Sequence, residues 1–293
     1  MSADLRARDQ HVAELAGLDA LETYREDRGA AYWRKRLWRG TWPKVGAVAL
    51  AVTIWQLVVW SGWKPEHILP GPVAVFEDLL HSIGTGQFWY AVGVTMGRAV
   101  IGYAAAIVIG LGIGFAVARF APLRAAVGSL ITGLQTMPSI AWFPLAIILF
   151  GLDESAIFFV VVLGAAPSIA NGVLAGVDYV PPLLVRAGRN MGAHGFSLYR
   201  FVIGPASLPA IVSGLKQGWA FSWRSLMAGE LLVQIGENGS LGSRLQYSRE
   251  LSDYTGLLAT MIVILVIGIL ADAAFTWANT AIRRRWGMLD AAT

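Results

Sequence analysis

The amino-acid sequence predicts an all-α, polytopic membrane protein with six transmembrane helices and both termini in the cytoplasm. Of its 293 residues, 56% are hydrophobic and only 14% are charged, whereas a soluble domain carries about 25% charged residues. The chain has 33 glycines and 12 tryptophans; glycine lets membrane helices approach closely, and tryptophan concentrates at membrane–water interfaces. The absence of cysteine excludes a disulfide framework, a thiolate metal site and a cysteine nucleophile.

Six apolar runs are long enough to cross a bilayer, which takes roughly 20 residues of helix. They lie at about 43–61, 90–118, 126–150, 155–176, 206–233 and 256–281. A basic cluster without acidic neighbours precedes the first run: Arg34, Lys35, Arg36, Arg39 and Lys44. By the positive-inside rule, this end of the first helix lies in the cytoplasm. The later loops fit the alternation, with basic residues at 119, 124 and 283–285 inside and acidic residues at 153 and 154 outside.

Residues 1–42 are predicted to form a cytoplasmic N-terminal tail, and residues 286–293 a short C-terminal tail. Apolar residues recur at helical spacing from His11 to Glu26, which predicts an amphipathic helix in the first tail. The first 30 residues contain no continuous apolar segment, so we expect no cleaved signal peptide. Aromatic residues beside the basic cluster predict an interfacial anchor; they are Tyr32, Trp33, Trp38 and Trp42.

Residues 181–205, between the fourth and fifth runs, are predicted to form a two-helix elbow in the cytoplasm. Pro181 and Pro182 prevent the preceding span from continuing and suit the first turn of a new helix. Gly192 ends that helix, because glycine tolerates the positive φ of a helix cap.

A second short helix is predicted from Phe196 to Ile203, and Pro205 and Pro209 mark the entry to the fifth span. The elbow offers small residues and aromatic residues as a docking surface, which indicates a partner. The alternative is a simple connector that carries positive-inside charges.

The stretch RAGRNMG, followed after nine residues by VIGPASLPAIVSGL, resembles the EAA loop of ABC importer permeases. These are the membrane subunits of bacterial binding-protein-dependent uptake systems, and their pattern is roughly E-A-A-x-x-x-G, then nine residues, an apolar run and L-P. Ala187, Gly192, Leu208, Pro209 and Gly214 match it, and Gly188 is the small second residue. Arg186 stands where the family usually has glutamate.

The resemblance covers residues 43–285, the predicted transmembrane domain. The segments TMPSIAWFPLAIILFGLDESAIFFVV and LPGPVAVFEDL resemble in particular the branch that imports nitrate, taurine and aliphatic sulfonates. The resemblance therefore implies a multi-pass permease in a bacterial inner membrane. It would move a small anionic solute, an aliphatic sulfonate or taurine or else nitrate, into the cytoplasm by alternating access.

The resemblance also implies the partners. They are two ABC ATPase subunits, a second permease copy in a homodimer and an extracytoplasmic solute-binding protein. ATP and Mg would bind to the ATPase subunits, because this chain has no G-x-x-x-x-G-K-[ST] phosphate loop. No catalytic site, metal site or cofactor is expected in the chain itself. The elbow would be the ATPase-coupling segment, with the contact residues Arg186, Ala187, Gly188, Gly192, Ala193, His194, Phe196, Leu198 and Tyr199.

Ionisable residues inside a span are costly and are therefore candidates for the translocation path. Arg224 could attract an anionic solute or could pair with another span, and Glu230 could lie close to the outer surface. The two are separated by roughly 240° around a helix, which argues against a same-face pair. Ser139 and Trp142 could line the path in a proline-broken helix or pack in the core.

Three glycine-spaced segments permit close helix contact within the subunit or, for one of them, at a dimer seam. They are Gly93-x-x-x-Gly97, Gly110-x-Gly112-x-Gly114 and Gly172-x-x-x-Gly176. The main alternative function is an ion-coupled secondary transporter, and another is an ABC permease for an uncharged vitamin precursor. An intramembrane enzyme is disfavoured, because the chain has no H-E-x-x-H motif and its four histidines lie outside the apolar runs.

Overall fold

The computed structural model describes residues 30–235 and 239–285, and every regular element in these ranges is helical. The predicted all-α class is therefore confirmed. The helices belong to two units, residues 1–72 and 73–293. The predicted amphipathic helix from His11 to Glu26 and the C-terminal tail lie outside the described residues.

The first unit contains helix α1, Ala30–Trp60. Its part Thr41–Trp60 is long and apolar enough to cross a membrane, which agrees with the first predicted span. The helix begins well before that span, so the boundary predicted at residue 42 does not coincide with a helix end. Trp38 and Trp42 are one turn apart and stack with their ring centroids separated by 5.8 Å.

The second unit contains nine further helices within its described part. They are α2 Pro72–Ile83, α3 Gly86–Arg119, α4 Ala121–Thr136, α5 Phe143–Phe150, α6 Glu154–Asp178, α7 Pro182–Asn190, α8 Phe196–Leu232, α9 Leu241–Glu250 and α10 Tyr254–Arg285. A short 3₁₀ helix, Ser139–Trp142, precedes α5. Five helices of the described chain can span a membrane by length and composition: α1, α3, α6, α8 and α10.

The sixth candidate span is a bent pair of helices. Helix α4 and the segment Ser139–Phe150 meet at an angle of 105°, as the prolines in this run predict. Gln135 at the end of α4 donates through Nε2 to Ser168 Oγ at 2.9 Å. Asn171 donates through Nδ2 to Gln135 Oε1 at 3.2 Å. These two bonds fix the end of α4 against α6 at the break.

Helix α6 packs between α3 and α8, and glycines bring the three backbones together. A Cβ at Gly172 would lie 2.6 Å from the Cα of Gly214 on α8, and a Cβ at Gly114 would lie 2.7 Å from Val173 Cβ. Two of the three predicted glycine segments therefore serve packing within the chain. A Cβ at Gly93 or Gly97 would meet nothing within 4 Å.

Candidate coupling surface and translocation path

The elbow begins with α7, which starts at the two prolines. Pro181 is the N-cap and Pro182 occupies the first turn, where the missing N–H is not needed. At the other end, Ala193 donates its N–H to Gly188 O and Gly192 donates to Arg189 O, each at 3.0 Å. These two bonds form a Schellman motif, which requires the left-handed conformation at the residue after the cap. Gly192 supplies it with φ +89°, as predicted.

The turn after α7 is closed by side-chain bonds. His194 donates its N–H to Ser197 Oγ at 3.0 Å, and that hydroxyl donates back to His194 O at 2.9 Å. The His194 ring nitrogen Nδ1 lies 2.9 Å from Gly192 O. Gly195 has φ +53°, a value that glycine adopts at low cost. The reversal between α7 and α8 is thus defined by local bonds and two glycines.

The predicted second helix of the elbow is not a separate element. Phe196 to Ile203 runs directly into the fifth span as the start of α8, through a π-helical turn at Tyr199–Ile203. Pro205 and Pro209 lie inside this helix. Gly204 donates to Tyr199 O in the wider π pattern, so the ladder is already shifted where Pro205 offers no N–H. Pro205 and Pro209 therefore do not end the helix. They lie where the helical pitch changes after the π-helical turn.

One side of the elbow packs against the elbow's own helices. Leu198, Val180 and Ile203 form a buried cluster. A Cβ at Gly188 would lie 2.7 Å from Val202 Cγ2, so α7 touches the start of α8 there. Leu198 was predicted to contact a partner, but it is only 6% exposed and has little surface to offer one.

The other side of the elbow is open and apolar. Leu183 is 76% and Met191 is 88% exposed, and Ala187 is exposed between them. The spacing of four residues places these three along one side of α7. The predicted contact residues include neither Leu183 nor Met191, although the spacing of both from Ala187 is the signal. The remaining exposed elbow residues among those predicted are Arg186, Gly192, His194 and Phe196.

A buried polar network joins three helices at the end of the bundle opposite to the elbow. Arg98 on α3 donates through Nη2 to Glu154 Oε1 at 2.9 Å and through Nη1 to Glu230 Oε1 at 3.2 Å. Thr95, one turn before Arg98, donates to Glu230 Oε2 at 2.9 Å. A buried guanidinium needs such partners, because an unpaired charge away from water is very costly.

Helix α9 is attached to the same network by its first amides. The N–H of Gly242 donates to Glu230 Oε2 at 3.1 Å, and the N–H of Leu241 donates to Thr95 Oγ1 at 2.9 Å. Ser240 and Ser243 form a capping box at this end of the helix. Glu230 is 0% exposed. This carboxylate was a candidate for the path, but in this structure it has no surface available to a solute.

Arg224 on α8 has a different environment. It is exposed on the same helix side as Ser213 and Gln217, which are also exposed; spacings of four and seven residues align the three. Its Nε donates to Ala220 O at 3.1 Å, and its guanidinium lies over the Phe221 ring at 4.7 Å. Within the described ranges it has no acidic partner, whereas Lys216 pairs with Asp272 at 3.0 Å. An ion pair between spans therefore does not account for Arg224 in this part of the chain.

A polar cavity lies beside this side of α8. Its volume is about 550 Å³. Its polar lining residues are Asn171, Tyr179, Ser213, Gln217, Asn279 and Arg283. The other two path candidates lie elsewhere: Trp142 packs against the main core cluster, and Ser139 is half-buried at the break before α5. The packing alternative accounts for Trp142.

The chain is similar to a known protein family over most of its length. The family model described as binding-protein-dependent transport system inner membrane component matches residues 92–285. The taurine transport system permease protein of Escherichia coli is 30% identical over 248 residues, which cover 83% of this chain and 87% of that protein. The bicarbonate transport system permease protein of Synechococcus elongatus is 26% identical over 268 residues, with coverage of 87% and 94%.

The solved structures give the same fold. A chain of a methionine ABC transporter in inward-facing conformations has a TM-score of 0.57 and 22% sequence identity. The match covers 67% of this chain and 96% of that one. This match shows a common fold.

Proposed function

The chain belongs to the binding-protein-dependent transport system inner membrane components, and from this premise we propose that it is the permease subunit of an ATP-driven importer of a small organic or inorganic anion. The observation that carries the coupling part of this proposal is the open apolar side of α7. Leu183 and Met191 are almost fully exposed on an element that the Schellman motif and the His194–Ser197 bonds hold in one conformation.

Such a surface suits force transmission from a partner. Because the buried side of the elbow is packed on the start of α8, a displacement of α7 moves the elbow end of that span with it. We propose that the ABC ATPase subunits, which bind ATP and Mg, contact the open side of α7. Arg186 and Arg189 are exposed on one side of the apolar stripe, so the partner surface would carry acidic groups beside an apolar centre.

The solute is proposed from Arg224 and from the relatives. Taurine and bicarbonate, for which the two relatives are named, both carry an oxyanion group. An exposed arginine within a membrane-spanning helix is costly against lipid, so it favours a hydrated path and an anionic solute. Sulfonates are the first choice of solute class and nitrate the second. An uncharged vitamin precursor would gain nothing from this charge.

The proposal also includes the orientation of the chain in the membrane and its assembly with a second copy and a binding protein. Basic residues collect at the elbow end, including Arg119, Arg189 and Arg283, so this end and both termini would lie in the cytoplasm. A second copy of the chain would enclose the exposed polar side of α8, and the extracytoplasmic binding protein would deliver the solute at the end that carries α9. No observation favours an ion-coupled transporter over this arrangement.

The coupling surface is tested by removing its two largest side chains. The double variant Leu183→Ala/Met191→Ala should weaken binding of the ATPase subunit to the purified permease by about 10- to 100-fold, the usual range for two central apolar contacts. Binding is measured by titration of a labelled ATPase subunit. The matched control is Leu251→Ala, which removes a leucine that is 79% exposed beyond the end of α9. Equal binding by the double variant and the control would contradict the assignment of α7.

A further inference from the structure

A second large groove lies at the elbow end of the bundle, away from the polar cavity. Its volume is about 880 Å³, within the range of small-molecule sites. The groove runs between the end of α3 and the start of α8. Its lining is mostly apolar and aromatic, with Phe115, Phe120, Phe196, Tyr199, Ile203 and Leu208 as the main apolar residues. We infer that this groove binds an anionic phospholipid of the cytoplasmic leaflet.

The charge of the groove supports this ligand. Two arginines, Arg119 and Arg200, belong to its lining and are exposed. In the described part of the chain neither has an acidic partner; each guanidinium lies over the ring of the next residue, at 5.6 Å and 5.7 Å. Arg124, close by in sequence, is paired with Asp178. The groove thus combines an apolar channel with two free positive charges, which matches an acyl chain joined to a phosphate.

The position of the groove supports a lipid more than a soluble ligand. Arg119 is the last residue of the spanning helix α3 and directly follows its apolar run, so we place its guanidinium near the cytoplasmic surface of the bilayer. Phenylalanine and tyrosine beside arginine at this level are typical of the membrane interface. Basic pockets between spans on the cytoplasmic side bind the headgroups of anionic lipids. A headgroup held there would leave its acyl chain in the apolar part of the groove.

The site is distinct from the proposed ATPase contact on the open side of α7, because Leu183 and Met191 do not line it. Phe196 and Tyr199, which the sequence predicts as coupling contacts, do line the groove. The inference rests on the cytoplasmic orientation of the elbow in the proposed function, but not on ATPase binding. A failure of lipid binding therefore leaves the coupling proposal intact, and the converse also holds.

The experiment is native mass spectrometry of the purified full-length chain with phosphatidylglycerol or phosphatidylcholine of the same acyl chains. Each arginine near the membrane surface favours an anionic lipid by about fivefold, so we expect roughly a thirtyfold preference for phosphatidylglycerol. The double variant Arg119→Gln/Arg200→Gln should lose this preference. The control Arg244→Gln/Arg249→Gln, with the same loss of charge on α9, should keep it.

A second variant tests the apolar part of the groove. Ala116→Trp places a large side chain in the lining and should reduce retention of both lipids while the arginines remain. Folding of each variant is checked by circular dichroism and gel filtration. Equal retention of the two lipids by the wild-type chain would overturn the inference. It would also be overturned if the substitution of the two arginines left the lipid preference unchanged.

Discussion

The buried carboxylate of Glu230 gives the sharpest test of the packing at the end of the bundle opposite to the elbow. Its substitution by alanine removes the ion pair with Arg98, whose Nη1 lies 3.2 Å from Glu230 Oε1. It also removes the acceptor for Thr95 and for the N–H of Gly242. Since Glu230 is fully buried, water cannot replace these contacts without entering the core.

The expected loss follows from the geometry. Breaking a buried ion pair by removing one partner costs about 3–5 kcal/mol, because a charge is left unpaired. Arg98 keeps Glu154 at 2.9 Å, but that carboxylate is partly open to solvent, so we expect about 3 kcal/mol for Glu230→Ala. Glu230→Gln retains an oxygen for Gly242 and should cost less. The double variant Arg98→Met/Glu230→Met removes both charges and should recover part of the loss.

The first measurement is the free energy of unfolding in mixed micelles. The second is the rate of hydrogen exchange at the amides of Leu241 and Gly242. Exchange at both amides should increase in Glu230→Ala, because α9 loses its attachment. The control is Lys216→Met, which breaks an exposed pair with Asp272 and should cost less than about 1 kcal/mol. If Glu230→Ala cost no more than the control, or if α9 stayed protected, the network would not have the structural role given to it here.

Two further predictions concern transport. Gly192→Leu should separate ATP hydrolysis from uptake in proteoliposomes, because a leucine at φ +89° strains the cap and projects from the elbow. The control is Gly151→Leu, which introduces a similar strain at φ +72° outside the elbow. Survival of both uptake and solute-stimulated hydrolysis in Gly192→Leu would refute the coupling role. Arg224→Gln should reduce uptake of an anionic solute about tenfold or more while basal ATP hydrolysis persists, and Arg224→Lys should retain part of the uptake; unchanged uptake in Arg224→Gln would rule out a solute contact.

The spans and the elbow could be predicted because they depend on local chemistry. Apolar length decides whether a helix can cross lipid, and the prolines at 181 and 182 and the glycine at 192 decide where α7 starts and stops. The break near Pro138 is of the same kind. Each of these features depends on a contiguous stretch of the chain, so no knowledge of neighbouring helices is needed.

The contacts of single side chains could not be predicted in the same way. Arg98 is visible in the sequence as a cation inside an apolar run, but its partners are 56 and 132 residues away. Leu198 and Leu183 are both apolar elbow residues, and only the packing of α7 on the start of α8 decides that the first is buried and the second exposed. Helix α8 continues through Pro205 because a π-helical turn precedes this residue. A proline in the sequence does not by itself predict such a turn.

Arg224 and Glu230 show how one helix, α8, would combine a structural charge with one that serves the proposed transport. Their spacing predicts that the two side chains lie on different sides of the helix. This is confirmed, because Glu230 faces the core and Arg224 is exposed. Each charge therefore has its own surroundings: Arg98 balances Glu230, while Arg224 has no acid within reach in the described chain. If the proposed homodimer forms around the polar side of α8, two such arginines would face a shared path, and their repulsion would be lowest when an anion lies between them. The proposed solute would then stabilise the closed dimer, and this would link binding of the anion to the proposed ATP-driven step.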